Sequence, residues 1–120
     1  MQSGETVVEK RALKRWYLIF YLRAFDQNTG ELLGHVVDIS TGGLMLISDK
    51  PIPIDEDFRL WLDVPQEDGE RERLFLEVHS LWSRRDVNPS FYDAGFSILN
   101  ASPEALLRIQ LLIDDLKLSD

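Results

Sequence analysis

Between Asp57 and Val64 the chain reads DFRLWLDV, in which Phe58, Leu60, Leu62 and Val64 alternate with Arg59, Trp61 and Asp63. A period of two is the mark of a strand with one face buried and the other wet. The run LFLEVHSLW repeats it and places Leu74, Leu76, Val78, Ser80 and Trp82 on one face. Four further strands are predicted: residues 16–25 (WYLIFYLRAF), dense in aromatic and branched side chains, Leu32–Ser40, Leu44–Ser48 and Phe91–Leu99. Turn chemistry separates the strands: DQNTGE, TGG, the prolines at 51 and 53, the acidic PQEDGERE and the polar SRRDVNPS. Six short strands at this spacing predict an antiparallel barrel or sandwich.

The chain ends in a different period. Ser102 offers a hydroxyl cap, Pro103 falls at the first helical position where no donor is lost, and Glu104 sits near the positive end of the dipole. Leu106, Ile109, Ile113 and Leu116 then share one stripe, with Leu107 and Leu112 beside it. An amphipathic helix over 102–117 is predicted, packed on the barrel or closing its mouth. Residues 1–9 carry no periodicity and are expected to form a flexible tail.

Composition narrows the chemistry. With 120 residues, 44% hydrophobic, the chain is sized for one domain with its own core and has no room for a second, catalytic one. The absence of cysteine excludes disulfides, thiolate catalysis and Cys-based zinc sites. His35 and His79 have no companions at metal-ligand spacing, so both are expected to be ordinary strand residues and no metal is expected. No stretch approaches the ~18 apolar residues of a membrane span, and MQSGET lacks a secretory layout, so a cytoplasmic protein without membrane insertion is expected. The net charge of −8, from 13 basic and 21 acidic residues, repels DNA and RNA.

Against that acidic background, EKRALKRW gathers Lys10, Arg11, Lys14 and Arg15 just before the first predicted strand. Screening over ~8–10 Å hides the distant acids, so such a patch suits a small anion held by a few close contacts. Further on, DISTGG supplies the Asp38 carboxylate, the Ser40 hydroxyl and two glycines that permit positive φ and close approach. Each piece alone is ordinary, a solvated face and a hairpin turn. Together, RxxxR (Arg11, Arg15) followed by DxSxxG (Asp38, Ser40, Gly43) resembles the signature of the PilZ domain, the bacterial receptor module for cyclic di-GMP. HSLW ending at Trp82, AGFSIL from Ala94 and the closing helix also resemble that family's layout. The resemblance implies a mainly β fold, a six-stranded antiparallel PilZ-type β-barrel with a C-terminal amphipathic α-helix. Residues 10–120 would be one domain: an arginine loop at 10–15, a barrel at 16–99 and a helix at 102–117.

The ligand so implied carries two phosphates and two guanines. Arginine suits both, because its planar fork pairs bidentately with phosphate or with guanine O6 and N7, and its face stacks on a base. Asp38, an acceptor-only carboxylate, can take the guanine N1 and N2 donors, Ser40 can accept or donate beside it, and Gly43 would leave room for a base. In similar proteins a basic residue at the position of Lys10 accompanies an intercalated ligand dimer; whether one or two molecules bind here stays open. Trp82 has two readings, stacking on guanine or an ordinary barrel-core aromatic. Arg84 would point the same way and add a contact, or lie in solvent. Trp61 would lie under the helix or in a partner surface.

The function implied is a non-catalytic receptor that relays messenger level through its arginine loop to a separate motility, chemotaxis or two-component protein. The alternative is a PilZ-like structural or pilus adaptor that binds no nucleotide. An enzyme using Asp38 as base is the weakest reading, since no phosphate loop, nucleophile elbow or activated nucleophile accompanies it.

Overall fold

The alternation takes physical form as six antiparallel strands and a helix in the computed structural model, which describes residues 22–66 and 68–118. These are β1 (Arg23–Asp26), β2 (Leu32–Ile39), β3 (Gly43–Ser48), β4 (Asp57–Pro65), β5 (Arg71–Arg85), β6 (Tyr92–Leu99) and α1 (Pro103–Leu118). The strands close in the order β1-β2-β3-β6-β5-β4, a barrel with no unpaired edge. Of the predicted strand 16–25, the described part starts at Arg23 and runs on to Asp26. The tail 1–9 and the arginine loop 10–15 lie outside the described residues.

Inward-facing positions build one core: Leu22, Ala24, Val36, Leu46, Leu60, Leu62, Val78 and Ala94 are fully buried. β5 is longer at both ends than its apolar pattern indicates. Arg71–Arg73 continue its ladder against Asp63–Pro65, and Ser83–Arg85 continue it against Tyr92–Ala94. Backbone pairing carries on where side chains face water, so polarity alone does not end a strand. The loop between β4 and β5 contracts to 66–70, closed by a Gln66 N–H to Glu70 carbonyl bond of 2.8 Å and by Gly69 at φ 88°.

Two bulges decide which side chains face outward, and one of them overturns the expected facing of Trp82. In the β5–β6 ladder Ser80 lies opposite Phe96 but Trp82 lies opposite Gly95, which leaves Leu81 as an extra residue. One inserted residue reverses the parity of everything after it. Trp82 therefore leaves the face of Leu74, Leu76, Val78 and Ser80 and stands outside the barrel, so it is not a core aromatic. A second bulge, between Val36 and Asp38, lets Val36 and Ile39 both point inward while Asp38 stays exposed.

Asp63 faces outward yet is buried, because Arg23 Nη2 and Arg71 Nε each approach its carboxylate to 2.9 Å. Trp61 stacks on Phe25 with ring centroids 4.2 Å apart, and the Arg73 guanidinium lies 4.1 Å from the Trp61 ring. Its sheet neighbours, not the helix, cover it.

At the start of α1 the Ser102 hydroxyl accepts the Ala105 N–H at 3.0 Å, the cap expected from the sequence. Ile109 is fully buried, Leu112 and Ile113 pack beside it against the core, and Arg108 pairs with Glu72. Leu106 and Leu107 remain exposed, so the first turn of the predicted stripe is wet and the docked part is Ile109, Leu112 and Ile113.

Candidate ligand-binding face

Four strands place the sequence-predicted residues on the outer wall. Asp38 on β2 is opposite Met45 on β3, Met45 is opposite Gly95 on β6, and Gly95 is opposite Trp82 on β5. This cross-strand row exists only because both bulges turn their residues outward. A parallel row runs His35, Ile47, Asp93 and Arg84.

At the corner between β2 and β3 the Ser40 Oγ accepts the N–H groups of Gly42 and Gly43, each at 3.2 Å. The Ser40 N–H donates to the Gly43 carbonyl at 2.8 Å, and the Gly42 carbonyl accepts the Ile98 N–H at 3.0 Å. The corner is thus fixed to β6. Neither glycine adopts positive φ. A Cβ at Gly43 would stand 2.5 Å from the Phe96 carbonyl oxygen, so barrel closure by itself requires glycine there. Gly42 faces open space.

Trp82 lies flat against the wall, and Gly95 makes this possible. A Cβ at Gly95 would fall 2.3 Å from the indole Nε1 and 2.4 Å from Cε2. The Arg84 guanidinium lies 4.9 Å from the Trp82 ring centroid, a cation–π contact. Arg84 Nε is also 4.0 Å from the Asp93 carboxylate. Burial, then a hydrogen bond and repulsion from Asp86, push the Asp93 carboxyl above its usual range, and Arg84 opposes the shift. Arg85 is held by the Pro89 carbonyl at 3.1 Å and by the Tyr92 hydroxyl at 3.2 Å. The structure therefore places Asp38 on β2, Ser40 in the turn after it, Gly43 at the start of β3, and Trp82 and Arg84 on β5, with β6 lying between β3 and β5. Lys10, Arg11 and Arg15 lie outside the described residues.

Two residues of this wall are not evident from sequence. Asp93 looks like any strand carboxylate until its pairing with Arg84 is known. His79, read as an ordinary strand residue, is clamped by Asp57 at 2.6 Å from Nδ1 and by Asp55 at 3.1 Å from Nε2. Those two hydrogen bonds, Asp57 foremost, raise its pKa. The clamp ties the loop before β4 to β5, with Asp55 at φ 63°. Among the described residues no group of three or more His, Cys, Asp or Glu is arranged to hold a metal ion. No helix there is long and apolar enough to cross a membrane.

The whole is a closed six-stranded barrel with its distinctive side chains on the outer wall and a helix docked on the core through Ile109. The family described as PilZ domain matches residues 9–115, and the chain belongs to it. Similar solved structures include the Bacillus subtilis inhibitor of motility MotI/DgrA, with 14% identity and a TM-score of 0.69 over 82% of this chain and 47% of that one. Another is the PilZ domain of YcgR from Escherichia coli with c-di-GMP, at 16% identity and a TM-score of 0.58 over 81% of this chain and 82% of that one. A third is the PilZ domain of CeSA from a cellulose-synthesizing bacterium, at 14% identity and a TM-score of 0.53 over 80% and 90% of the two chains. At these identities the likeness is one of fold. This chain spans about half of the MotI/DgrA chain, 47%. No curated protein sequence matches it.

Proposed function

We propose that the chain is a cytoplasmic cyclic di-GMP receptor that passes the messenger's level to a separate protein through its arginine segment. The observation that carries this reading is the outward row Asp38, Met45, Gly95, Trp82, assembled from four strands by two bulges. Asp38 supplies acceptors for a guanine edge, Ser40 and the fixed corner position it, and a purine stacks on the Arg84–Trp82 pair. Gly43 contributes by letting the corner lie close on β6.

The described wall cannot hold two phosphates alone. Arg84 and Arg85 are outnumbered there by Asp38, Asp86 and Asp93. The reading assigns the remaining positive charge to Lys10, Arg11 and Arg15, which precede Leu22 in the chain, and the Leu22 carbonyl accepts the Val36 N–H of β2 at 2.8 Å. The YcgR domain in its c-di-GMP complex shares the fold, which supports the choice of messenger. MotI/DgrA, an inhibitor of motility, favours a partner of the motility class. The module binds and relays; it leaves the messenger intact.

Calorimetry with cyclic di-GMP tests the reading. Saturable binding at micromolar or lower concentration is expected. Loss of one bidentate contact in Arg15→Ala, about 1–3 kcal/mol, weakens it roughly 5- to 150-fold. A flat titration, or an Arg15→Ala variant that binds as well as the parent, refutes it.

A further inference from the structure

Between the β4–β5 hairpin and α1 lies a groove of about 550 Å³, at the opposite end of β5 from Trp82 and Arg84. Its apolar floor is Val64, Leu74, Leu111 and Leu112, and Leu111 is 55% exposed despite lying in that hollow. Asp68, Glu72 and Asp115 line it as well, against the single cation Arg108, which is committed to Glu72. The groove thus offers apolar area within a negative rim. It fits a short segment that carries both cations and apolar side chains.

The chain owns such a segment. Lys10, Arg11, Lys14 and Arg15 stand among Ala12, Leu13 and Trp16, in a protein whose other regions are acidic. Its path also leads there. β1 pairs with β4 as Ala24 with Leu62 and Arg23 with Asp63, so the next step of that ladder brings Leu22 level with Val64, a residue of the groove. The seven residues from Leu22 back to Arg15 reach at most about 25 Å when extended. Tethering at this range makes docking intramolecular, with an effective concentration far above that of a free peptide.

We infer that in the messenger-free protein this groove is the docking site of the chain's own basic segment, Lys10–Trp16, and that the messenger draws the segment away to the Asp38 corner. Leu22 sits between the two destinations, level with Val64 on one side and bonded to Val36 on the other. Arg11 and Arg15 cannot serve both at once, so occupancy of the groove reports the absence of the messenger. Groove docking stands on the geometry alone; only its release rests on the receptor reading above.

The chain has no cysteine, so one spin label can be placed cleanly. Full-length protein with Ala12→Cys carrying a nitroxide is examined by NMR, each amide compared with the reduced label. Without messenger, the amides of Asp68, Leu111 and Leu112 should lose intensity. The loss should vanish in Asp68→Lys/Leu111→Ser, both surface positions, while the amide pattern of the barrel is unchanged. It should also weaken near 1 M salt, where the Debye length falls to about 3 Å. With cyclic di-GMP the broadening should move to Asp38, Gly42 and Gly43. Groove amides that keep full intensity in the messenger-free protein overturn the inference, as does broadening that persists in the double variant. Broadening that grows with protein concentration overturns it too, by assigning the segment to a second copy. A chain that takes up no messenger but still broadens at the groove refutes the receptor reading and leaves the docking intact.

Discussion

Replacing Asp63 by Asn isolates the electrostatic tie between the start of the barrel and the β4–β5 hairpin. The carboxylate accepts from Arg23 and from Arg71, each at 2.9 Å, and its own side chain is only 10% exposed. Asparagine has nearly the same shape, but its NH2 must face one of the two guanidinium groups, donor against donor. Charge-assisted hydrogen bonds are worth about 1.5–3 kcal/mol when buried. Both arginines are about half exposed, at 47% and 48%, so solvent reduces each pair to about 1 kcal/mol and the two together to roughly 2 kcal/mol. For a domain of this size that lowers Tm by about 8 °C. The pH dependence has a definite sign. The Arg71 hydrogen bond, opposed by burial and joined by the Arg23 bond, holds the folded Asp63 pKa below the usual 3.8. A depressed carboxyl stabilises above its unfolded value and loses that contribution as pH falls through the folded one. Urea unfolding of both proteins at pH 7 and in steps down through pH 4 should show a gap that is constant at neutral pH and closes in acid. Equal stability at pH 7, or a gap that stays the same throughout the acid range, refutes the argument.

Gly95→Ala should separate folding from binding: its Cβ would stand 2.3 Å from the Trp82 indole, which must swing off the wall and away from Arg84. If a purine stacks on that pair, affinity for cyclic di-GMP falls by about 1–3 kcal/mol, roughly 5- to 150-fold by calorimetry, with the circular dichroism of the barrel retained; unchanged affinity removes Trp82 from the site. His79 should titrate above the usual 6.5, because the hydrogen bonds its ring donates to Asp57 and then to Asp55 favour the imidazolium. Its contribution is therefore fully present below the unfolded value and lost as pH rises through the folded one, so the Tm gap between the parent and His79→Gln should narrow on going alkaline; a gap that widens shows the clamp does not hold a charged ring.

What the sequence reveals and conceals divides along the range of the interactions involved. Phe58, Leu60 and Leu62 announce β4, and Ser102, Pro103 and Glu104 announce α1, because period and cap chemistry are set by residues a few positions apart. Trp82 is misplaced by the same reasoning, since the alternation from Leu74 to Ser80 has no local sign that Leu81 is the extra residue of a bulge. Only the count of partners on β6, Phe96 and then Gly95, reveals it. Asp63 is hidden likewise: its outward position is legible, but its burial comes from Arg23, forty residues away, and from Arg71 across the hairpin. Gly43 shows the converse. The motif identifies the residue, but the carbonyl that forbids a side chain there belongs to Phe96 on β6. The wall that carries Asp38 and Trp82 is therefore a product of register, and its chemistry is spelled out by residue type. A ladder without the bulge, with Leu81 itself opposite Gly95, would keep every signature residue in the chain yet return Trp82 to the inward parity of Ser80, where a core already filled by Phe96 and Val78 has no room for an indole. Barrel closure and the binding face are in this sense one constraint, because the same two inserted residues serve both.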